Sequence, residues 1–347
     1  MQNELTQNGP LLTPDGDLAQ VGWARQPLLD CNLEAANFYA IKPLQRFRVK
    51  RWDYYAVFTH KTFFSATIAD LGYAGNIFVY VMDFETGNLH EEGLVVPFGK
   101  GIKLPRNSME GGSHFENEKA TLNFNVGTID PNQRHIDVNW PSFHEGRGIR
   151  ADITLTLPKE AESMVIVIPI GKKRFYFNRK INCMPAMGVI NYGNNVTQIN
   201  QQNGIGSLDW GRGVWEYGSY WNWASSSGFL EDGRTIGLNL GCGFGDLSKA
   251  GENAIILNNK IHKLEQVRFD YSSGNYMKPW RFSDNEKRVD LTFTPFKERV
   301  ARTNLGIIFS EVHQLFGHYN GKVTADDGEV VEIKDLIGFA EEHHARW

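Results

Sequence analysis

Two stretches half a chain apart repeat one another, and this narrows the folds open to these 347 residues more than any other feature. HFENEKATLNF at His114–Phe124 returns in outline as FSDNEKRVDLTF at Phe282–Phe293. Both place a polar Asn-Glu-Lys turn before residues that alternate apolar and polar. A second echo follows in the same order. Gly188 opens GVINYG and leads to LDWGRGVW, closing on Trp215; Gly321 opens GKVTADDG and leads to FAEEHHARW, closing on Trp347. Each passes from a glycine through a hairpin-like turn to an acidic residue, an arginine and a tryptophan. Hairpins share turn chemistry, so one match says little, but two in sequence imply a duplicated β-rich unit.

The rest of the chain supplies the strands for such units. Tyr54–Phe58, Thr62–Ile68, Ile77–Met82, Thr121–Phe124, Ile153–Leu157 and Val165–Ile170 are rich in β-branched or aromatic residues. Thr235–Leu240, Ala254–Leu257, Val289–Phe293, Leu305–Phe309 and Val330–Ile333 continue the pattern, with Gly, Asn, Asp or Pro between most of them. Only Asn32–Phe38 and Leu336–His344 read as short helices. The expectation is an all-β protein of two tandem antiparallel barrels, since closure removes exposed sheet edges. Residues 1–20 form an N-terminal extension, 21–205 a first barrel and 206–347 a second, parted near the polar QINQQNGIG that ends at Gly206.

Charge and motifs exclude several classes. A net charge of −4 gives no chain-wide footprint for wrapping nucleic acid. No basic-then-apolar leader opens the sequence and no apolar stretch is long enough to span a bilayer, so the expectation is a cytoplasmic protein with no integral membrane segment. Cys31, Cys183 and Cys242 are widely spaced, which fits a reducing compartment and no disulfide framework. No HExxH or His-x-His spacing occurs, so no metal is expected. GCGFG at Gly241–Gly245 lacks the helix and acid of a nucleotide loop, and no cofactor is expected.

The most informative segment is GSLDWGRGVWEYGSYWNWASSSG at 206–228. A two-residue period puts Trp215, Tyr217, Trp221 and Trp223 on one face, with Tyr220 on the other. Small barrels are usually filled by Val, Ile and Leu, so clustered indoles beside three serines point to a cavity wall and an apolar small-molecule ligand. Beside these, Arg212, Tyr220, His313, His343 and Arg346 are the remaining ligand-binding candidates. Asp209 and Arg212 read equally as an ion pair and as ligand contacts. The catalytic candidates are the isolated acid–base groups Asp209, Glu252, Glu342 and His262. A hairpin from Glu252 to His262 would bring those two together. A carboxyl held in an apolar cavity would have a raised pKa and serve as a general acid, which makes Glu341 a further group whose orientation matters.

FYFNRKINCMPAMG, DWGRGVWEYGSYWNWASSSG, GLNLGCGFGD with GENAIILNNKIHKL, VDLTFTPFKERVARTNLG and EEHHARW together resemble, over roughly residues 10–347, a bacterial family of domains of unknown function. That family is placed among lipocalin-like (calycin) proteins and is distantly similar to carotenoid 1,2-hydratase (hydroxyneurosporene synthase). The resemblance implies two lipocalin-like antiparallel barrels. The distant hydratases protonate a carbon–carbon double bond of an isoprenoid chain without a cofactor. Their acid lies in a Trp-x-Asp-His-like motif, where this chain has Trp215-Glu216-Tyr217, so their catalytic residues do not carry over. Glu216 stands where the family pattern has Pro. Three functions follow as expectations: binding of an apolar or isoprenoid-like molecule, a cofactor-independent hydratase, isomerase or cyclase, and, well behind, carbohydrate binding or cleavage.

Overall fold

The computed structural model describes residues 2–127, 130, 132–304 and 306–347. The fold is nearly all-β, with its main strands gathered into two curled, half-barrel antiparallel sheets. The first sheet is built around Ala74–Asp83, Thr62–Asp70, Val49–Phe58, Ile205–Val214, Arg174–Tyr192 and Ile149–Thr156, adjacent in that order. The second centres on Thr235–Cys242, Gly218–Phe229, Val330–Arg346, Phe309–Thr324 and Val289–Asn304, again each bonded to the next.

Each sheet wraps its own apolar core. Phe64, Ile77, Phe124, Ile153 and Trp210 fill the first, and Leu238, Ile255, Trp280, Phe293 and Tyr319 fill the second. A third cluster joins the backs of the sheets through Phe58, Phe63, Phe316 and Phe339. This explains the unbroken apolar runs of the central strands. In Val49–Phe58, Tyr55 and Val57 face the first core, whereas Tyr54, Ala56 and Phe58 face the other sheet. A strand buried on both faces has no polar side to show in its sequence.

The echoes correspond to equivalent places. Asn117–Lys119 turns Gly111–Glu116 into Thr121–Val126, and Asn285–Lys287 turns Trp280–Asp284 into Val289–Asn304. Gly188 (φ +144°) and Gly321 (φ +136°) sit where a neighbouring strand crosses closely. A Cβ would lie 2.0 Å from the Asp152 carbonyl oxygen at the first and 2.2 Å from that of Asp290 at the second, so only glycine fits either.

Several expectations are corrected. Ile205–Val214 pairs with Val49–Phe58 and Arg174–Tyr192 in the first sheet, so the chain changes sheets at 215–217 and not at Gly206. Leu336–His344 is part of a central strand, because its alternate residues bury on opposite faces of the second sheet. Asn32–Phe38 contains only the 3-10 turn Leu33–Ala35. Of the expected strand Leu305–Phe309, Leu305 lies outside the described residues and the strand begins at Phe309. The N-terminal extension is docked: Leu5, Leu11 and Leu12 bury in the first core, and the Gln2 side-chain amide donates to the Leu247 carbonyl at 3.0 Å.

Candidate functional site

The aromatic face at 215–223 lines an open space, but that space is not inside a barrel. It is a cleft of about 580 Å³ between the backs of the two sheets. Trp52, Tyr54, Tyr80, Tyr176, Lys180 and Asp209 come from the first sheet. Trp221, Trp223, Arg299, Gln314, Glu341 and His343 come from the second. Buried apolar clusters occupy both barrel interiors, and this cleft opens between the two backs.

The second echo converges here. Trp215 and Trp347, which close its two copies, meet with ring centroids 5.5 Å apart. Six residues before each stands a carboxylate, Asp209 on one wall and Glu341 on the other. Ladder register gives them different neighbours. Asp209 lies opposite Lys180, and Glu341 lies opposite Gln314.

On the first wall, Lys180 Nζ sits 2.8 Å from Asp209 and 3.1 Å from Glu252, and 3.8 Å over the ring of Trp223. Asn178 and Trp52 donate to the other Asp209 oxygen at 2.6 and 3.2 Å. Burial works against the ammonium, but the two carboxylates prevail and raise the Lys180 pKa. This corner is a closed ionic cluster.

On the second wall, Glu341 is buried and has only neutral partners: Trp221 Nε1–H donates to Oε1 and the Gln314 amide to Oε2, each at 3.2 Å. The amide is held in that orientation because its oxygen accepts from Tyr80 Oη at 3.0 Å, and Tyr80 in turn bonds Tyr54 at 3.0 Å. Burial pushes the Glu341 carboxyl up to about 7, with the indole bond and the Arg299 charge opposing. His343 lies 4.0 Å from Trp221, ring to ring, and bonds Ser310 at 2.9 Å. Burial, reinforced by Arg299, pushes it down to about 3, so it is a neutral imidazole. Arg299 itself is clamped by both oxygens of Glu91.

Of the residues singled out from the sequence, Asp209, Glu252, Glu341, Trp215, Trp221, Trp223 and His343 meet in this cleft. The others do not. Glu342, next to Glu341 on the strand, points to the opposite face, where Tyr271, Tyr276 and His344 bond it and hold its pKa below the usual value although burial opposes them. Tyr220 joins it there through Tyr271 and Asn222. His313 pairs with Glu298 at 2.7 Å and stacks on Tyr276. Arg212 points into the first core and pairs with Asp53 at 2.9 Å, so it is a structural ion and no partner of Asp209; three residues along a strand reverse the side. His262 turns to Asp326 and not to Glu252, and exposed Arg346 lies over Phe309. Glu216 is exposed and bonds Arg174. No motif marks Lys180, Gln314, Arg299, Tyr54 and Tyr80 in the sequence, and strand register alone brings them to the cleft.

Among the described residues, no group of three or more His, Cys, Asp or Glu side chains is arranged to hold a metal ion, and no helix is long and apolar enough to cross a membrane.

Known proteins place the chain as follows. A structure of an AttH-assigned protein from Nitrosomonas europaea is similar with TM-score 0.54 and 13% identity, over 88% of this chain and 95% of that one. Kievitone hydratase from Nectria haematococca aligns with TM-score 0.48 and 10% identity, over 85% of this chain and 88% of that one. No curated protein sequence matches significantly. The pattern described as Domain of unknown function (DUF2804) matches residues 2–347, and the chain belongs to that family.

Proposed function

We propose that the cleft binds an apolar, unsaturated small molecule and that Glu341 protonates it, making the protein a cofactor-independent hydratase or isomerase. The observation that carries this is the Glu341 carboxyl: it is buried against indoles, raised to about 7, and bonded only to donors. With the Trp221 N–H and the Gln314 amide both donating to it, its own acidic hydrogen is left for a guest in the cleft. A pKa near the working pH is what an efficient general acid needs.

The surroundings suit the reaction. Addition of a proton to a carbon–carbon double bond leaves positive charge on carbon, which aromatic rings lining the cleft attract. The Asp209 and Glu252 carboxylates add negative charge nearby, partly balanced by Lys180. In a hydration, water captures the cation and its surplus proton passes to the Glu341 carboxylate, which restores the acid. In an isomerisation, the carboxylate removes a different proton from the cation and the acid is likewise restored.

The test incubates the protein with cell lipid extract in deuterium oxide and follows recovered ligands by mass spectrometry. The expected result is a bound apolar species that gains carbon-bound deuterium with the unmodified protein and not with Glu341→Gln. Deuterium uptake equal in both would remove Glu341 from the chemistry. A ligand that binds both proteins and gains deuterium with neither leaves simple binding as the better description.

A further inference from the structure

Near one end of the cleft the surface changes character. Residues 39–51, YAIKPLQRFRVKR, contain Lys42, Arg46, Arg48, Lys50 and Arg51 without a single carboxylate, in a chain of net charge −4. The segment begins with the 3-10 turns of Lys42–Phe47 and packs against the loop after Pro97, where Phe47 and Phe98 rings meet at 6.4 Å. That loop adds Lys100 and Lys103, also without an acid.

Among the described residues, Lys42, Arg46, Lys100 and Lys103 make no ion pair. Two carboxylates beside the patch are already engaged, Asp70 by Arg51 and Glu34 by Arg106. Set among these free cations are apolar side chains held out in solvent: Ile41 is 62% exposed, Phe98 68%, and Leu44 is also exposed. Phe98 is fixed there by a backbone of positive φ and by its N–H bond to the Tyr73 carbonyl. Such a patch costs solubility unless something covers it.

The patch adjoins the cleft. Val95, 68% exposed and three residues before Phe98, lines the cleft, as does Leu71. The Leu71 carbonyl accepts from Lys50, and Arg48 donates to the carbonyl of Trp215 at 2.7 Å.

We infer that this patch docks the protein on an anionic lipid bilayer, with Ile41, Leu44 and Phe98 entering the interface and Lys42, Arg46, Lys100 and Lys103 facing the headgroups. Free cations match anionic headgroups, and exposed apolar side chains match the acyl boundary beneath them; an acidic protein or a nucleic acid would satisfy only the first. The docked orientation brings the rim of the cleft to the membrane, where apolar molecules reside. That purpose rests on the proposed function; the docking itself does not.

The experiment is flotation of the full chain with vesicles of phosphatidylcholine alone or with phosphatidylserine added, at low and high salt and with no cleft ligand. The expected result is flotation with phosphatidylserine vesicles only, weakened by salt. Lys42→Glu with Arg46→Glu should lower that partition roughly tenfold or more. Ile41→Asp with Leu44→Asp should lower it too while leaving the salt dependence in place. Glu341→Gln should float as the unmodified protein does, which separates docking from proton transfer, and circular dichroism checks that each variant is folded. Equal partition on both vesicle types, unchanged partition of the Lys42/Arg46 variant, or equally tight binding to polyglutamate or duplex DNA would overturn the inference.

Discussion

The two walls of the cleft carry carboxylates at matching places of a duplicated strand, and they are handled in opposite ways. Asp209 faces Lys180 across the ladder and belongs to a closed ionic cluster with Glu252. Glu341 faces Gln314 and has no cation within bonding reach, so burial keeps its proton on near neutrality. One change of cross-strand neighbour, ammonium for amide, separates a charged structural group from a poised acid. A buried carboxylate beside an ammonium is stabilised as an anion, whereas one beside an amide gains too little to offset the lost hydration.

The largest expected effect is on chemistry. Glu341→Gln should lower deuterium transfer to the bound ligand by about 10²–10⁴-fold with ligand retained, whereas Glu342→Gln, on the far face, should change it little. Similar losses from the two neighbours would break the distinction between the faces.

Stability should show the walls' difference next. Lys180→Met leaves buried Asp209 and half-buried Glu252 without their cation and should cost about 3–5 kcal/mol in denaturant unfolding. Gln314→Met removes the neutral bonds that the amide makes to Glu341 and Tyr80 on the other wall and should cost about 1–3 kcal/mol. Equal losses would mean that Glu341 is as dependent on its neighbour as Asp209 is.

The pH dependence sharpens the comparison. The Glu341 pKa is raised in the folded state from an ordinary 4.5 to about 7, so its contribution is fully present below pH 4.5 and lost as pH rises to about 7, on the order of 3 kcal/mol. His343 runs the other way. Its folded pKa is depressed from 6.5 to about 3, so its contribution is present above pH 6.5 and lost as pH falls towards 3. Thermal unfolding across this range should therefore give Glu341→Gln a stability that rises with pH, and His343→Asn one that falls. Parallel curves for both variants would contradict the assignment.

The smallest effect concerns the donor. Trp221→Phe removes the indole N–H that favours the Glu341 anion, so the midpoint of any Glu341-dependent pH profile should move upward. A downward shift would show that the indole acts chiefly by excluding water.

Much of this was legible in the residues. The Asn-Glu-Lys echoes and the paired glycines at 188 and 321 marked the duplicated strands, and of the four aromatics that the two-residue period put on one face, the three indoles line the cleft whereas exposed Tyr217 bonds the Ile307 carbonyl. The acid was harder to choose. FAEEHHARW offers Glu341 and Glu342 side by side, and alternation says only that they point apart, not which one meets the indoles. The basic segment at 39–51 was hidden by the chain's overall charge, since a sum over all residues conceals a local excess.

By itself the sequence determined a duplicated, strand-rich chain with an aromatic face, because period, turn residues and glycine positions are local properties. Only the tertiary structure decided that the two filled half-barrels meet back to back, that the open space lies between them, and that Lys180 stands by Asp209 while Gln314 stands by Glu341. Those facts depend on ladder register between strands far apart in the chain, and on desolvation that no single strand produces alone.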